Sequence, residues 1–145
     1  VGGVLGKPVL AGQLVAYAIL DLKALGIGVV DHVTRLEETV IRTIARFGVE
    51  GSRRPGARGV WVEDRKIASV GVNARHWVTI HGIALNVEPD LSHYAGIVPC
   101  GIADKGVTSL ERILSRDVPM AEVEEAAVAA LASVFARRPV EIGPF

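Results

Sequence analysis

Cysteine is almost absent from this chain, with a single copy, Cys100, among 145 residues. A lone thiol excludes an internal disulfide and makes a poor metal site, so Cys100 is either a small buried hydrophobe or a nucleophile. Its neighbours favour the nucleophile. Pro99 presets the entering backbone, and Gly101 removes a side chain that would crowd the sulfur and the nearby amide groups. The local pattern alone leaves inert packing open.

Net charge and long apolar runs are also lacking. Sixteen basic residues balance sixteen acidic ones, so no overall field favours nucleic acid or an anionic membrane as a partner. No apolar run approaches the roughly 18 residues of a membrane span, and no signal-peptide pattern is visible. With one cysteine, this composition predicts a cytoplasmic globular protein.

Cofactor patterns are missing as well. None of the four histidines forms a spacing typical of zinc, and neither a G-x-G-x-x-G nor a Walker pattern is present. We therefore expect neither a metal nor another cofactor.

Hydrophobic periodicity predicts mixed α and β structure in one layered domain, residues 1–145. The patterns predict strands over 14–20 and 78–87 and a hairpin of 60–62 with 66–72, although Ala16 and Ala18 leave a helix possible over 14–20. They also predict a helix from an Asp31 N-cap to Gly48, a loop over 51–56, a Thr108–Glu111 capping box that opens a short helix, and a helix from Pro119 to about 136.

Several charged residues have two interpretations. Lys66 begins the second hairpin strand, where a lysine is ordinarily a solvated edge charge. His81 lies inside an apolar strand, a position that favours a hydrogen-bonded structural histidine over a site residue. The basic cluster Arg53, Arg54, Arg58 and Arg65 is ordinarily a solvated surface, although it could meet an acidic partner.

Five sequence blocks between residues 59 and 110 carry a more specific signal through their order and spacing. They read Gly59-Val60-Trp61-Val62, Arg65 to Val72, His81-Gly82-Ile83-Ala84-Leu85-Asn86 with Asp90-Leu91, Ile97 to Ile102 and Gly106-Val107-Thr108-Ser109-Leu110. Together they resemble the octanoyltransferases of lipoate biosynthesis, and Gly12 to Tyr17 extends the resemblance upstream. The resemblance implies the fold of biotin and lipoate protein ligase catalytic domains, α/β (α+β), a mixed sheet with packed helices.

The same resemblance implies a cysteine-dependent acyl transfer. Cys100 matches the acyl-accepting nucleophile, and Lys66 matches the lysine that lowers the thiol's pKa and moves the proton. A free thiol titrates near ~8.5, so a neighbouring cation is needed for a large thiolate fraction at neutral pH. The residues expected to line the substrate are Gly2, Gly3, Ser69, Val70, Gly71, Gly82, Ile83 and Ala84.

The implied partners are proteins. The donor is octanoyl-acyl carrier protein, and the acceptors are lipoyl domains of 2-oxoacid dehydrogenase E2 subunits and the glycine cleavage H protein. The enzyme itself is expected to be a monomer.

The N-terminus departs from the family pattern. Relatives carry Arg-Gly-Gly and then His-Gly-Pro-Gly-Gln, whereas here Val1 stands in place of the Arg, and apolar residues replace His-Gly-Pro. The family pattern also places a substantial segment before this block, so the chain is interpreted either as a divergent short form or as a fragment. Three functions stay open: octanoyltransferase, ATP-dependent lipoate or biotin ligase relative, and non-catalytic lipoyl-domain binder.

Overall fold

The computed structural model describes residues 2–6, 11–88 and 106–141. Cys100 and its block therefore lie outside the described residues. The elements are β1 (Gly2–Gly6), β2 (Gln13–Ile19), α1 (Leu22–Leu25), α2 (Val29–Ala45), β3 (Ser52–Arg54), β4 (Ala57–Val62), β5 (Arg65–Arg75), β6 (Val78–Asn86), α3 (Leu110–Leu114) and α4 (Met120–Phe135). They form a six-stranded sheet in the order β1-β2-β6-β5-β4-β3, with neighbouring strands antiparallel.

The hairpin of β4 and β5 confirms the predicted pairing, but β5 runs on to Arg75 and forms a second hairpin with β6. His76 and Trp77 make the turn between β5 and β6, both with positive φ (49° and 68°). That conformation suits a two-residue hairpin turn, although Gly, Asn and Asp are its usual residues. The predicted loop over 51–56 is wrong in part, because it contains β3, which pairs with β4.

The helices follow the predicted periodicity with shifted starts. Helix α2 begins at Val29 after Gly28, so Asp31 is in the first turn instead of capping the helix, and the helix ends at Ala45. A carboxylate in the first turn complements the helix dipole, which explains the strong start signal. The predicted Thr108–Glu111 capping box is also wrong. Ser109 caps α3 by accepting from Arg112 N, while Glu111 accepts from Val118 N at 2.7 Å.

The core lies between one face of the sheet and helices α2 and α4. Inward side chains of α2 interleave with alternate residues of the strands, and the shared cluster includes Leu36, Val40, Val70 and Ile83. Alternation along a strand sends the intervening residues to the opposite face.

Within the described residues, no helix is both long and apolar enough to cross a membrane.

Candidate active site

Lys66 lies where the regular pairing of β4 and β5 breaks. Val60 is opposite Ala68, and Trp61 is opposite Lys66, so β5 uses two residue steps where β4 uses one. An extra residue of this kind bends a strand and re-aims a side chain away from strict alternation. Because of this irregularity, the strict alternation of the predicted strand does not give the direction of the Lys66 side chain.

The side chain of Lys66 is partly buried between two residues of β4. Its Nζ is 5.9 Å from the centroid of the Trp61 ring, and Trp61 is almost completely buried. The Lys66 stem also crosses Gly59, because a Cβ placed on Gly59 would be 2.5 Å from Lys66 Cε. The Lys66 side chain is thus partly covered, and its backbone does not lie at a free sheet edge, unlike an ordinary solvated edge lysine.

Residues 106–108, which follow the Cys100 block, are bound directly to Lys66. Lys66 N donates to Gly106 O at 3.0 Å, and Thr108 N donates to Lys66 O at 2.9 Å. These bonds form a parallel bridge between Lys66 and Val107. Cys100 stands six residues before Gly106 in the sequence. The described structure therefore joins the chain leaving the Cys100 block to the backbone of Lys66.

Two buried amide side chains, hydrogen-bonded in series, support the contact between Lys66 and residues 106–108. Gln13 Nε2 donates to Asn86 Oδ1 at 3.0 Å, and Asn86 Nδ2 donates to Thr108 O at 3.1 Å. Gln13 and Asn86 belong to sequence segments that carry the family resemblance, but the sequence analysis assigned neither residue a role. Buried amides bonded in series specify one arrangement of the backbones they join.

The expected substrate-lining residues of β5 and β6 divide between the two faces of the sheet. Val70 and Ile83 are 8% and 3% exposed and pack in the helix-side core, so their side chains do not face an open surface. Ser69 and Gly71 are exposed on the other face, and Ala84, paired with Ser69, is partly exposed. Of these residues, Ser69 and Ala84 can contact a ligand through their side chains, and Gly71 can do so through its backbone.

Gly82 and Gly71 are paired but meet different surroundings. A Cβ on Gly82 would overlap the carbonyl oxygen of Ala16 in β2, whereas a Cβ on Gly71 would find no described atom within 4 Å. Gly82 therefore permits the close approach of β6 and β2. At Gly71, no side chain projects from the exposed face of the sheet.

Gly2 and Gly3 are far from Lys66. Val4 of β1 is level, through Tyr17 and Gly82, with Gly71. At about 3.3 Å per residue and about 4.8 Å per strand, the offset is roughly 16 Å along the strands and 14 Å across them. Gly2 and Gly3 lie farther still, so the structure does not bring them to the lysine.

The basic cluster does not form one free surface. Arg53 binds Glu37 and Glu38 of α2, with Nε 3.2 Å from Glu37 and Nη2 2.8 Å from Glu38. Hydrogen bonds from Arg53, and then from Arg42, hold the pKa of Glu38 below its ordinary 4.5. Arg54 lies over the Trp61 ring, 4.7 Å from its centroid.

Arg53, Arg58 and Arg65 are all exposed, but only the side chains of Arg58 and Arg65 make no hydrogen bond or ion pair with another described residue. His81 is also exposed, against the structural interpretation. It has φ +74° and makes an edge contact with Tyr17.

In the part of the chain that the structure describes, no three His, Cys, Asp or Glu side chains cluster closely enough to bind a metal ion.

The buried carboxylate of Glu37, which accepts a hydrogen bond from Gly59 N at 3.0 Å, was not identified from the sequence. The sequence does contain a sign of it: Glu37 lies on the apolar stripe of a helix, where an acidic residue is seldom buried without a partner.

Comparison with known proteins supplies the family. Residues 9–132 match the family model described as lipoyl protein ligase A/B catalytic domain. An octanoyltransferase of Paramagnetospirillum magneticum is 61% identical over 104 residues, covering 68% of this chain and 49% of that protein. An octanoyltransferase of Rhodospirillum rubrum is 48% identical over 135 residues, covering 90% and 62%. These similarities confirm the resemblance drawn from the five blocks.

The fold has solved counterparts. A bipartite lipoate protein ligase of Thermoplasma acidophilum superposes with a TM-score of 0.70 at 17% identity, covering 95% of this chain and 58% of that one. This likeness confirms the predicted ligase-type fold. The chain spans about half to three fifths of the length of the curated relatives named above.

Proposed function

Because this chain belongs to the lipoyl protein ligase A/B catalytic-domain family, we propose that it performs the acyl transfer of an octanoyltransferase. The donor is octanoyl-acyl carrier protein, and the acceptor is a lysine amine on a lipoyl domain of a 2-oxoacid dehydrogenase E2 subunit or of the glycine cleavage H protein. Its relatives' name and the contacts around Lys66 support this proposal.

The reaction proceeds in two balanced steps. The thiolate of Cys100 attacks the carbonyl carbon of the octanoyl thioester, a new sulfur–carbon bond forms, and the bond from that carbon to the carrier's sulfur breaks. The carrier's thiolate takes a proton from the ammonium of Lys66 and leaves as a thiol. The acceptor amine then attacks the acyl-enzyme thioester, an amide bond forms, and Cys100 is released. The amine's surplus proton passes to the Cys100 thiolate through Lys66.

One observation carries the proposal: Lys66 is bonded on its backbone to Gly106 and Thr108, six and eight residues after Cys100 in the sequence. A cation within about 4–6 Å of a thiol favours the thiolate and lowers its pKa. These backbone bonds fix residues 106–108, which follow the Cys100 block in the sequence, beside Lys66. The Asn86 bond to Thr108 O reinforces this arrangement.

The octanoyl tail fits the exposed face of the sheet in this proposal. Ser69 and Ala84 present small side chains there, and Gly71, which has no side chain, presents its backbone beside them on β5 and β6. An apolar chain needs a smooth apolar floor and few polar contacts. Val70, Gly82 and Ile83 support that floor from within the sheet, and the backbone N–H groups around Ser69 and Cys100 are our candidates for holding the oxyanion.

An acidic partner would meet Arg58 and Arg65, the two exposed members of the basic cluster that no described acidic side chain already pairs. Reversing both charges should slow association and flatten its salt dependence, because rim charges act mainly on encounter rates.

Intact-mass measurement with octanoyl-acyl carrier protein, without ATP, tests the proposal. We expect one octanoyl group on the wild-type chain, removed by hydroxylamine, and none on Cys100→Ser. Octanoylation of an added lipoyl domain only with octanoate and ATP would favour ligase chemistry instead. Lipoyl-domain binding with no adduct under either condition would favour a non-catalytic binder.

A further inference from the structure

Gly59 leaves the space through which the side chain of Lys66 passes. Its φ of +118° is one that L side chains rarely adopt. A Cβ there would overlap the Ala68 carbonyl oxygen and would stand 2.5 Å from Lys66 Cε and 3.3 Å from Lys66 Nζ. The missing side chain and the unusual backbone angle therefore serve the same lysine.

Glu37 holds this stretch of β4 from helix α2. Its Oε1 accepts from the Gly59 N–H at 3.0 Å, while its Oε2 is 3.2 Å from Arg53 Nε. Glu37 is 8% exposed. Arg53 balances the charge of the Glu37 carboxylate. This ion pair does not depend on the hydrogen bond from Gly59 N, so the hydrogen bond is a separate contact. That bond fixes the backbone where β4 passes under Lys66.

We propose that Glu37 and Gly59 are positioning residues that set the location of the Lys66 amine. Glu37 orients the Gly59 peptide, Gly59 admits the lysine stem, and the stem directs Nζ. The placement of the amine stands on these contacts. Its effect on Cys100 rests on the function proposed above.

Nuclear magnetic resonance of protein labelled at lysine measures the placement directly. The chain has four lysines, Lys7, Lys23, Lys66 and Lys105, and Lys66→Arg assigns the signal. We expect an Overhauser contact between Gly59 Hα and Lys66 Hε in the wild type. Glu37→Ala should lose it, and Glu37→Gln, which keeps an oxygen acceptor, should retain it. Arg53→Ala is the matched control, since it removes the ion pair but leaves the Gly59 bond.

Iodoacetamide labelling of the lone thiol separates the two proposals. If both hold, Glu37→Ala slows labelling at pH 7 by at least about threefold, equivalent to half a pKa unit. Loss of the Overhauser contact with unchanged labelling would leave the positioning intact and reject the activation of Cys100 by Lys66. An unchanged contact in folded Glu37→Ala would reject the positioning role of Glu37.

A glycine pair keeps the proposal testable if Glu37→Ala fails to fold. Gly56 also has positive φ, +75°, but no atom lies within 4 Å of its missing Cβ. Gly59→Ala should therefore shift the Lys66 resonances, whereas Gly56→Ala should leave them in place. Equal effects from the two substitutions would overturn the proposal.

Discussion

The two faces of the central sheet come from the same strands, yet they meet different surroundings. On one face, Val70 and Ile83 pack against helix α2 in the hydrophobic core. On the other, their chain neighbours Ser69 and Ala84 are exposed or partly exposed. Alternation along β5 and β6 thus gives each sequence block two tasks, support on the helix side and contact on the exposed side. A run of residues that resembles a binding motif need not contact the ligand throughout.

The largest effect should come from the helix side. Ile83→Ala removes a core side chain that is 3% exposed, so we expect a loss of about 2–5 kcal/mol in the free energy of unfolding. Ser69→Ala, on the exposed face, should change it by less than about 0.5 kcal/mol. Urea unfolding of both variants measures the difference. Similar losses would contradict the division between the two faces.

Paired glycines sharpen the comparison at the backbone. Gly82→Ala forces a Cβ against the Ala16 carbonyl oxygen, so we expect a destabilisation of about 1–3 kcal/mol, as in overpacked interiors. Gly71→Ala meets open space and should be neutral or stabilise by up to about 1 kcal/mol. Gly71→Val should also impair octanoyl transfer while the protein stays folded. Normal transfer by Gly71→Val would remove the exposed face from the acyl site.

A smaller, pH-dependent effect on stability is expected only on the helix side of the sheet. His32 of α2 is fully buried beside Phe135, and neither ring nitrogen has a hydrogen-bond partner among the described residues. Burial, and then the charge of Arg35, lowers its pKa below the ordinary 6.5. Below pH 6.5 the unfolded chain therefore binds a proton that the folded chain does not.

Stability should consequently fall as the pH drops below about 6.5, by at most about 1.4 kcal/mol per pH unit from this group. His32→Phe should flatten that part of the curve, and His76→Phe, at an exposed turn, is the control. Thermal melts between pH 5 and pH 8 would follow the change. Parallel curves for wild type and His32→Phe would contradict the assignment.

Much of this fold could be predicted from the sequence because its main signals are periodic. The apolar stripe of α2 and the alternation in β6 each repeat over many residues, so both elements were identified with small errors at their ends. Local exceptions were missed. The His76-Trp77 turn adopts positive φ without glycine, and the extra residue beside Lys66 leaves no pattern of its own.

The candidate site divides along the same line. Lys66 was identified through family resemblance, whereas the contacts of Glu37, Gly59 and Asn86 depend on residues distant in sequence. Glu37 is 22 residues from Gly59, and Asn86 is 22 residues from Thr108. Tertiary pairing over such separations has no periodic signature in a single sequence.

The activation of Cys100 by Lys66 is tested most directly by the pH dependence of iodoacetamide labelling. Wild type, Lys66→Ala and Lys66→Arg would be compared, with thermal melts to verify folding. We expect a higher thiol pKa in Lys66→Ala, with labelling at neutral pH about tenfold slower for each unit of increase in that pKa. Lys66→Arg should retain part of the wild-type profile because it keeps the charge. Superimposable profiles for folded wild type and Lys66→Ala would contradict the account.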